Sequence, residues 1–158
     1  MIKIFGLVLI LSASLGVSFT LIGLEARRIR ELEGLCELIR YIKNNIDSFL
    51  MPLEGIFLTF HSDELEKCGF EAEMKEHGLA AAAKLDLLSV DTKAREALSA
   101  FADSLGTGFR DDEVKRCEYY LELFGELAAS EKQKAAKNRD MYRYLPPLAA
   151  LSLILVLF

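Results

Sequence analysis

The chain has 158 residues, of which 52% are apolar and 27% charged, and its formal net charge is 19 − 24 = −5. That hydrophobicity excludes a disordered chain, and a modest negative charge without a long basic block argues against nucleic-acid binding. Every acidic residue, and every Lys or Arg except Lys3, lies between Glu25 and Arg143, which excludes a plain soluble globule; with only two apolar ends, a polytopic transporter is excluded as well.

Residues 4–24 carry no ionisable side chain. As a helix they rise about 32 Å, enough to cross a bilayer core. A cleaved signal peptide is the competing reading, but its apolar core is shorter, about 7–15 residues. Here Arg27 and Arg28 follow the run as a stop-transfer flank would. The expectation is a first transmembrane helix over 1–24. Within it Ser12, Gly16 and Thr20 fall at four-residue spacing. Such a row either lets another helix approach closely in lipid or is ordinary span composition.

Residues 25–51 predict one amphipathic helix, with Leu32, Leu35, Ile39, Ile42, Ile46 and Phe49 at alternating three and four spacing. Pro52 is expected to end it and to open a short helix with Leu53, Ile56, Phe57 and Phe60 inward. Gly69 and Gly78 punctuate the next stretch, and the alanines at 80–83 favour helix. A helix over about 91–105 buries Ala94, Leu98, Phe101 and Leu105. Gly106 and Gly108 form a turn, and Asp111 is the expected N-cap of a last helix showing Val114, Cys117, Leu121, Phe124 and Ala128.

The terminal run from Leu145 is shorter, and reaches about 27 Å only when counted from Met141. Tyr142 and Tyr144 suit the headgroup belt, and Pro146 and Pro147 are expected to start or kink the span. The alternative is a buried or interfacial helix. Arg27, Arg28 and Arg30 after the first span, and Lys132, Lys134, Lys137, Arg139 and Arg143 before the second, favour a cytoplasmic middle. The second group either adds attraction to an anionic leaflet or serves as a topology signal alone. Three cysteines, Cys36, Cys68 and Cys117, lie in apolar stripes without close spacing, as reduced thiols do. The domains are therefore 1–24 (transmembrane helix), 25–143 (cytoplasmic bundle) and 144–158 (transmembrane helix). The fold class is all-α, an antiparallel helical bundle flanked by two transmembrane helices.

Chemistry is sparse. There is no phosphate-binding loop of the P-loop type. His61 and His77 are the only histidines, neither has a second His at ligand spacing, and no Cys pair stands nearby. A nucleophile pair of Cys68 with His61 or His77 would have to be assembled in space. No catalytic, cofactor-binding or metal-binding residue is assigned, and no cofactor, nucleic acid or small-molecule substrate is expected. Asp63, Glu64, Glu66, Glu71, Glu73 and Glu76 form an acidic surface relieved by Lys67 and Lys75. It either docks a basic partner or is a solvated face.

The ordered motifs resemble the stage III sporulation protein AB family over essentially the whole chain. They are Lys3-Ile4-Phe5-Gly6 with Leu9, Ser12, Ser14 and Gly16, then Arg27-Arg28 before Leu32, Leu35, Ile39 and Ile46. Pro52-Leu53 follows, then Leu105-Gly106 before Asp111-Asp112-Glu113, and Glu131-Lys132 to Lys137 with Met141-Tyr142-Arg143-Tyr144-Leu145. Departures are Pro146 where the family has Gly, a longer stretch between Gly106 and Asp111, and Val114-Lys115-Arg116 where a Gln is common. The resemblance implies a non-enzymatic platform, similar to the inner-membrane platform proteins of type II secretion and type IV pilus machines. It further implies a place in the mother cell–forespore channel needed for endospore formation, with the bundle on the mother-cell side of the outer forespore membrane. Implied partners are the lipid bilayer, other stage III channel proteins including a secretion-type ATPase, and further copies of the chain. The alternatives are a membrane-tethered helical adaptor or signalling protein unrelated to secretion, and a membrane-bound enzyme using His61, His77 and Cys68.

Overall fold

The structure, a computed structural model, describes the backbone of residues 2–48 and 51–157, and the side chains of most residues from 16 to 139 with a few beyond. All regular structure among the described residues is helical. The order is α1 (Ile2–Asp47), α2 (Leu53–Thr59), α3 (Asp63–Lys67), α4 (Phe70–His77), α5 (Leu79–Lys84), α6 (Thr92–Ser104) and α7 (Arg110–Leu157). The chain divides into two compact units, Arg28–Ser130 and Met1–Arg27 with Glu131–Phe158.

Within Arg28–Ser130, α1 buries Leu32, Leu35, Leu38, Ile39 and Ile42 and half-buries Ile46. The buried stripe is wider than a two-helix seam because α1 meets partners on more than one side. On one side Gly34 lies against Leu65 of α3. On another, Lys43 pairs with Glu118 of α7 at 2.6 Å. α1 ends at Asp47, earlier than Pro52 would dictate, while Phe49 lies outside the described residues. The Arg110 guanidinium donates to the Asp47 carbonyl and carboxylate, satisfying acceptors that a helix end leaves open.

Pro52 sits at the N-cap of α2, which buries Ile56 and leads into buried Phe60. Tyr41 of α1 holds that corner, with its ring 5.5 Å from Phe60 and its hydroxyl donating to Thr59. Gly69 and Gly78, at φ of +80° and +87°, separate α3, α4 and α5, since a side chain would strain both turns. α4 packs on α2, α3 and α5, and α5 packs on α6.

α6 begins at the Asp91 N-cap, whose carboxylate accepts the Ala94 N–H at 2.8 Å. It buries Ala94, Leu98, Phe101 and Ala102, while Leu105 is its half-buried C-cap. α7 begins at Arg110, so Asp111 is not the N-cap that its residue type suggests. The Phe109 carbonyl accepts the first helical amides, from Asp112 and Glu113, and Asp111 lies exposed in the first turn. There its charge still complements the helix dipole. Cys117, Phe124 and Ala128 are buried, and Val114 and Leu121 half-buried.

In the other unit, α1 contributes its part up to Arg27 and α7 its part from Glu131 onward. Asn138 donates to Glu25 at 3.3 Å, and the exposed Thr20 hydroxyl donates to the Gly16 carbonyl. Helix α7 includes Pro146 and Pro147. Among the described residues no helix is long and apolar enough to cross a membrane. The spans assigned to residues 4–24 and 145–158 fall largely on side chains outside the described residues, as does Ser12.

Gly34 tests the α1–α3 contact. A Cβ there would lie 3.1 Å from Leu65 Cγ, and Leu65 is fully buried. Gly34→Val is expected to destabilise this unit by about 1–3 kcal/mol through overpacking. Gly125→Ala, where nothing lies within 4 Å of the new methyl, is expected to be neutral or stabilising by up to about 1 kcal/mol. Urea unfolding of the two full-length variants, compared with the parent, checks the pair.

Candidate functional site

The acidic residues flagged in the sequence belong to α3 and α4, but they do not share one surface. Glu71 is only 3% exposed, so it is not part of an acidic face. Its position in the first turn of α4 turns it inward, where it accepts the Ser62 N–H at 2.8 Å and pairs with Lys75. Burial alone would raise its pKa, yet hydrogen bonds from Lys75, the Ser62 amide and His61 together hold it below the ordinary carboxylate value. Glu64 is shared by Lys67 at 3.0 Å and Arg30 at 3.1 Å, and Glu73 faces His77 at 3.1 Å. Glu66 and Glu76 remain exposed. Glu54 of α2, absent from the sequence reading, is exposed too.

His61 follows the C-cap of α2. Its Nδ1 lies 3.2 Å from Glu71 and its Nε2 lies 3.2 Å from Asp63. The hydrogen bond to Glu71, with that carboxylate's charge, raises the His61 pKa above its ordinary value. Potential ligand atoms of His61, Asp63 and Glu66 come within 4.8 Å of one another, all on exposed residues. With both ring nitrogens facing carboxylates, the grouping acts as a hydrated surface network. The other histidine, His77, faces Glu73, four residues earlier on α4. Cys68 is half-buried and its thiol donates to the Leu65 carbonyl at 3.2 Å. Cys117 is fully buried, and burial raises its thiol pKa to about 11, which leaves little thiolate for nucleophilic work.

Three buried carboxylates share one task. Glu31 accepts the Ser89 N–H, Glu71 accepts the Ser62 N–H, and Glu113 accepts the N–H groups of Gly106 and Gly108. Each pins a connecting loop to a helix by a charge-assisted bond. Glu113 also pairs with Arg116 at 2.6 Å. Sequence inspection missed all three roles. Only Glu113 carried a signal, an acid in a first helical turn just after a Gly-Thr-Gly stretch. These acids organise backbone, and their acceptor capacity is spent on amides and cations.

Two open clefts lie on this unit. One, of about 370 Å³, is polar and lined by Glu37, His61, Ser62, Asp63 and Glu64. The other, of about 380 Å³, lies between α2 and α4 with Phe57, Leu58 and Met74 among its walls.

The sequence model of stage III sporulation protein AB matches residues 3–158, nearly the whole chain. The chain belongs to this family. No curated protein and no solved structure matches it. Membership ties the all-helical chain to a sporulation-related role. The family's sequence model covers both apolar ends as well as the stretch between them.

Proposed function

We propose that the chain is a non-enzymatic platform component of the mother cell–forespore channel. Its apolar ends act as two transmembrane helices, and residues 25–143 face the mother-cell cytoplasm at the outer forespore membrane. The helical unit couples a secretion-type ATPase to the membrane complex. The observation that carries this reading is the family match from residue 3 to residue 158. The confinement of charge between Glu25 and Arg143 supports the membrane assignment, because an ionised side chain in the bilayer core is costly. The engagement of Glu31, Glu71 and Glu113 with backbone amides supports a scaffold over an enzyme.

Photo-crosslinking in sporulating cells tests the reading. A crosslinking amino acid at exposed Glu76 or Asp111 is expected to capture a channel protein or the ATPase. Capture of neither from any exposed position of this unit overturns it. Deletion that alters gene expression while channel assembly proceeds would favour the signalling adaptor instead.

A further inference from the structure

We propose that the cleft between α2 and α4 docks an apolar side chain carried on a basic, amphipathic helix of a partner protein. This rests on the platform reading and names the surface by which the platform would hold its partner.

The cleft combines an exposed leucine with a rim whose two charges unpaired among the described residues, Glu54 and Glu76, are both acidic. Leu58 is 61% exposed although it stands two residues from buried Ile56 and two from buried Phe60. Residues two apart on a helix point to opposite sides, so burial of Ile56 turns Leu58 outward. Beside it Phe57 is half-buried, and Met74 of α4, 1% exposed, forms the floor. A methionine floor adapts its shape to what enters. Leu58 and half-buried Phe57 give the cleft its apolar wall.

Charge selects the occupant. Glu54 and Glu76 stand exposed at the cleft, and neither forms an ion pair among the described residues. The two basic groups at the cleft are already engaged, Lys75 by Glu71 and His77 by Glu73. Residues 51–78 hold seven carboxylates and two lysines, a net of 2 − 7 = −5. That equals the net charge of the whole chain, so the acidity is concentrated in this stretch of sequence, and of its seven carboxylates Glu54 and Glu76 are the ones that line this cleft. An anionic membrane, a nucleic acid or an acidic protein is repelled there. A helix with apolar residues on one face and Lys or Arg on its flanks is attracted, oriented by the rim and anchored by the floor.

The test uses the full chain in nanodiscs of zwitterionic lipid and a fluorescent amphipathic peptide with a leucine face and lysine flanks. Two control peptides replace the lysines with Glu or the leucines with Ser. The Lys/Leu peptide is expected to bind, and both controls to bind at least about tenfold more weakly. Leu58→Glu, at a side chain already in water, is expected to weaken binding by about tenfold or more. Glu54→Lys with Glu76→Lys is expected to weaken it similarly and to flatten its salt dependence. Leu85→Glu, at another exposed leucine, is expected to change nothing. Equal binding by the Lys and Glu peptides, or unchanged binding to Leu58→Glu, overturns the proposal. So does a Leu58→Glu variant that loses only self-association, since the occupant is then a second copy of this chain. Failure here with channel proteins still captured in cells leaves the platform reading standing. Success here with no channel protein captured defeats the platform alone.

Discussion

Phe101→Ala is expected to destabilise the Arg28–Ser130 unit by about 3–5 kcal/mol, the range for truncating a fully buried Phe. Phe101 is completely inaccessible and ranks among the largest buried side chains of the core. Its ring meets Tyr120 of α7 at a centroid distance of 5.0 Å and an angle of 56°. This contact ties α6 to α7, so the truncation opens a cavity where two helices meet and removes an aromatic pair as well. Tyr120 is half-buried there, and burial pushes its hydroxyl pKa up. The measurement is the rate of labelling of Cys117, with Cys36 and Cys68 changed to Ser. Cys117 is fully buried and its pKa lies near 11, so it reacts when the unit opens. A loss of about 3–5 kcal/mol raises the open population, and with it the labelling rate, by roughly two to four orders of magnitude. An unchanged rate would show that Phe101 does not hold α6 on α7.

Glu113→Ala is expected to have the next largest effect, about 1.5–3 kcal/mol, the range for hydrogen bonds to a charged group. The carboxylate accepts the Gly106 amide at 3.1 Å, the Gly108 amide at 2.8 Å and the Arg116 guanidinium at 2.6 Å. Both glycines are exposed, so water can replace the lost acceptor at each amide, which is why the loss stays within that range. Burial alone would raise the Glu113 pKa, but the two amides and Arg116 together bring it below the ordinary 4.5. The folded state therefore binds fewer protons than the unfolded state near that pH. The stabilisation is complete above about pH 4.5 and is lost as pH falls through the lower, folded value. Glu71, lowered as well, adds to the same acid limb. Glu113→Gln keeps an acceptor but cannot titrate, so its stability is expected to fall less steeply in acid than that of the parent. Urea midpoints collected between about pH 3 and pH 7 supply both slopes, and coincident slopes would refute the role of the carboxylate.

The stripe of α1 from Leu32 to Ile42, the breaks at Gly69 and Gly78, the helix start near Asp91 and the buried Cys117, Phe124 and Ala128 were all legible in the residue order. Each depends on near neighbours along the chain. Periodicity selects which face of a helix leaves water, a glycine permits a left-handed turn, and an aspartate caps the amide three residues ahead. The crowding of every acidic residue between Glu25 and Arg143 was legible in the same way, and so was the family resemblance.

What the residue order left open depends on groups brought together from far apart in the chain. Glu71 looks like its neighbours Glu66 and Glu76, yet folding covers it with the Ser62 amide and Lys75 and leaves those two in water. Asp111 looks like a cap, but the Phe109 carbonyl and the Glu113 carboxylate take over that corner. The end of α1 at Asp47 is met by Arg110, 63 residues later, which donates to its carbonyl and carboxylate. Leu58 becomes half of a cleft only when α4 places Met74 beneath it. A pattern of hydropathy states how much each side chain prefers to leave water. Which partners compensate a buried charge, and which apolar group is left uncovered, depend on contacts that exist only once the helices have packed.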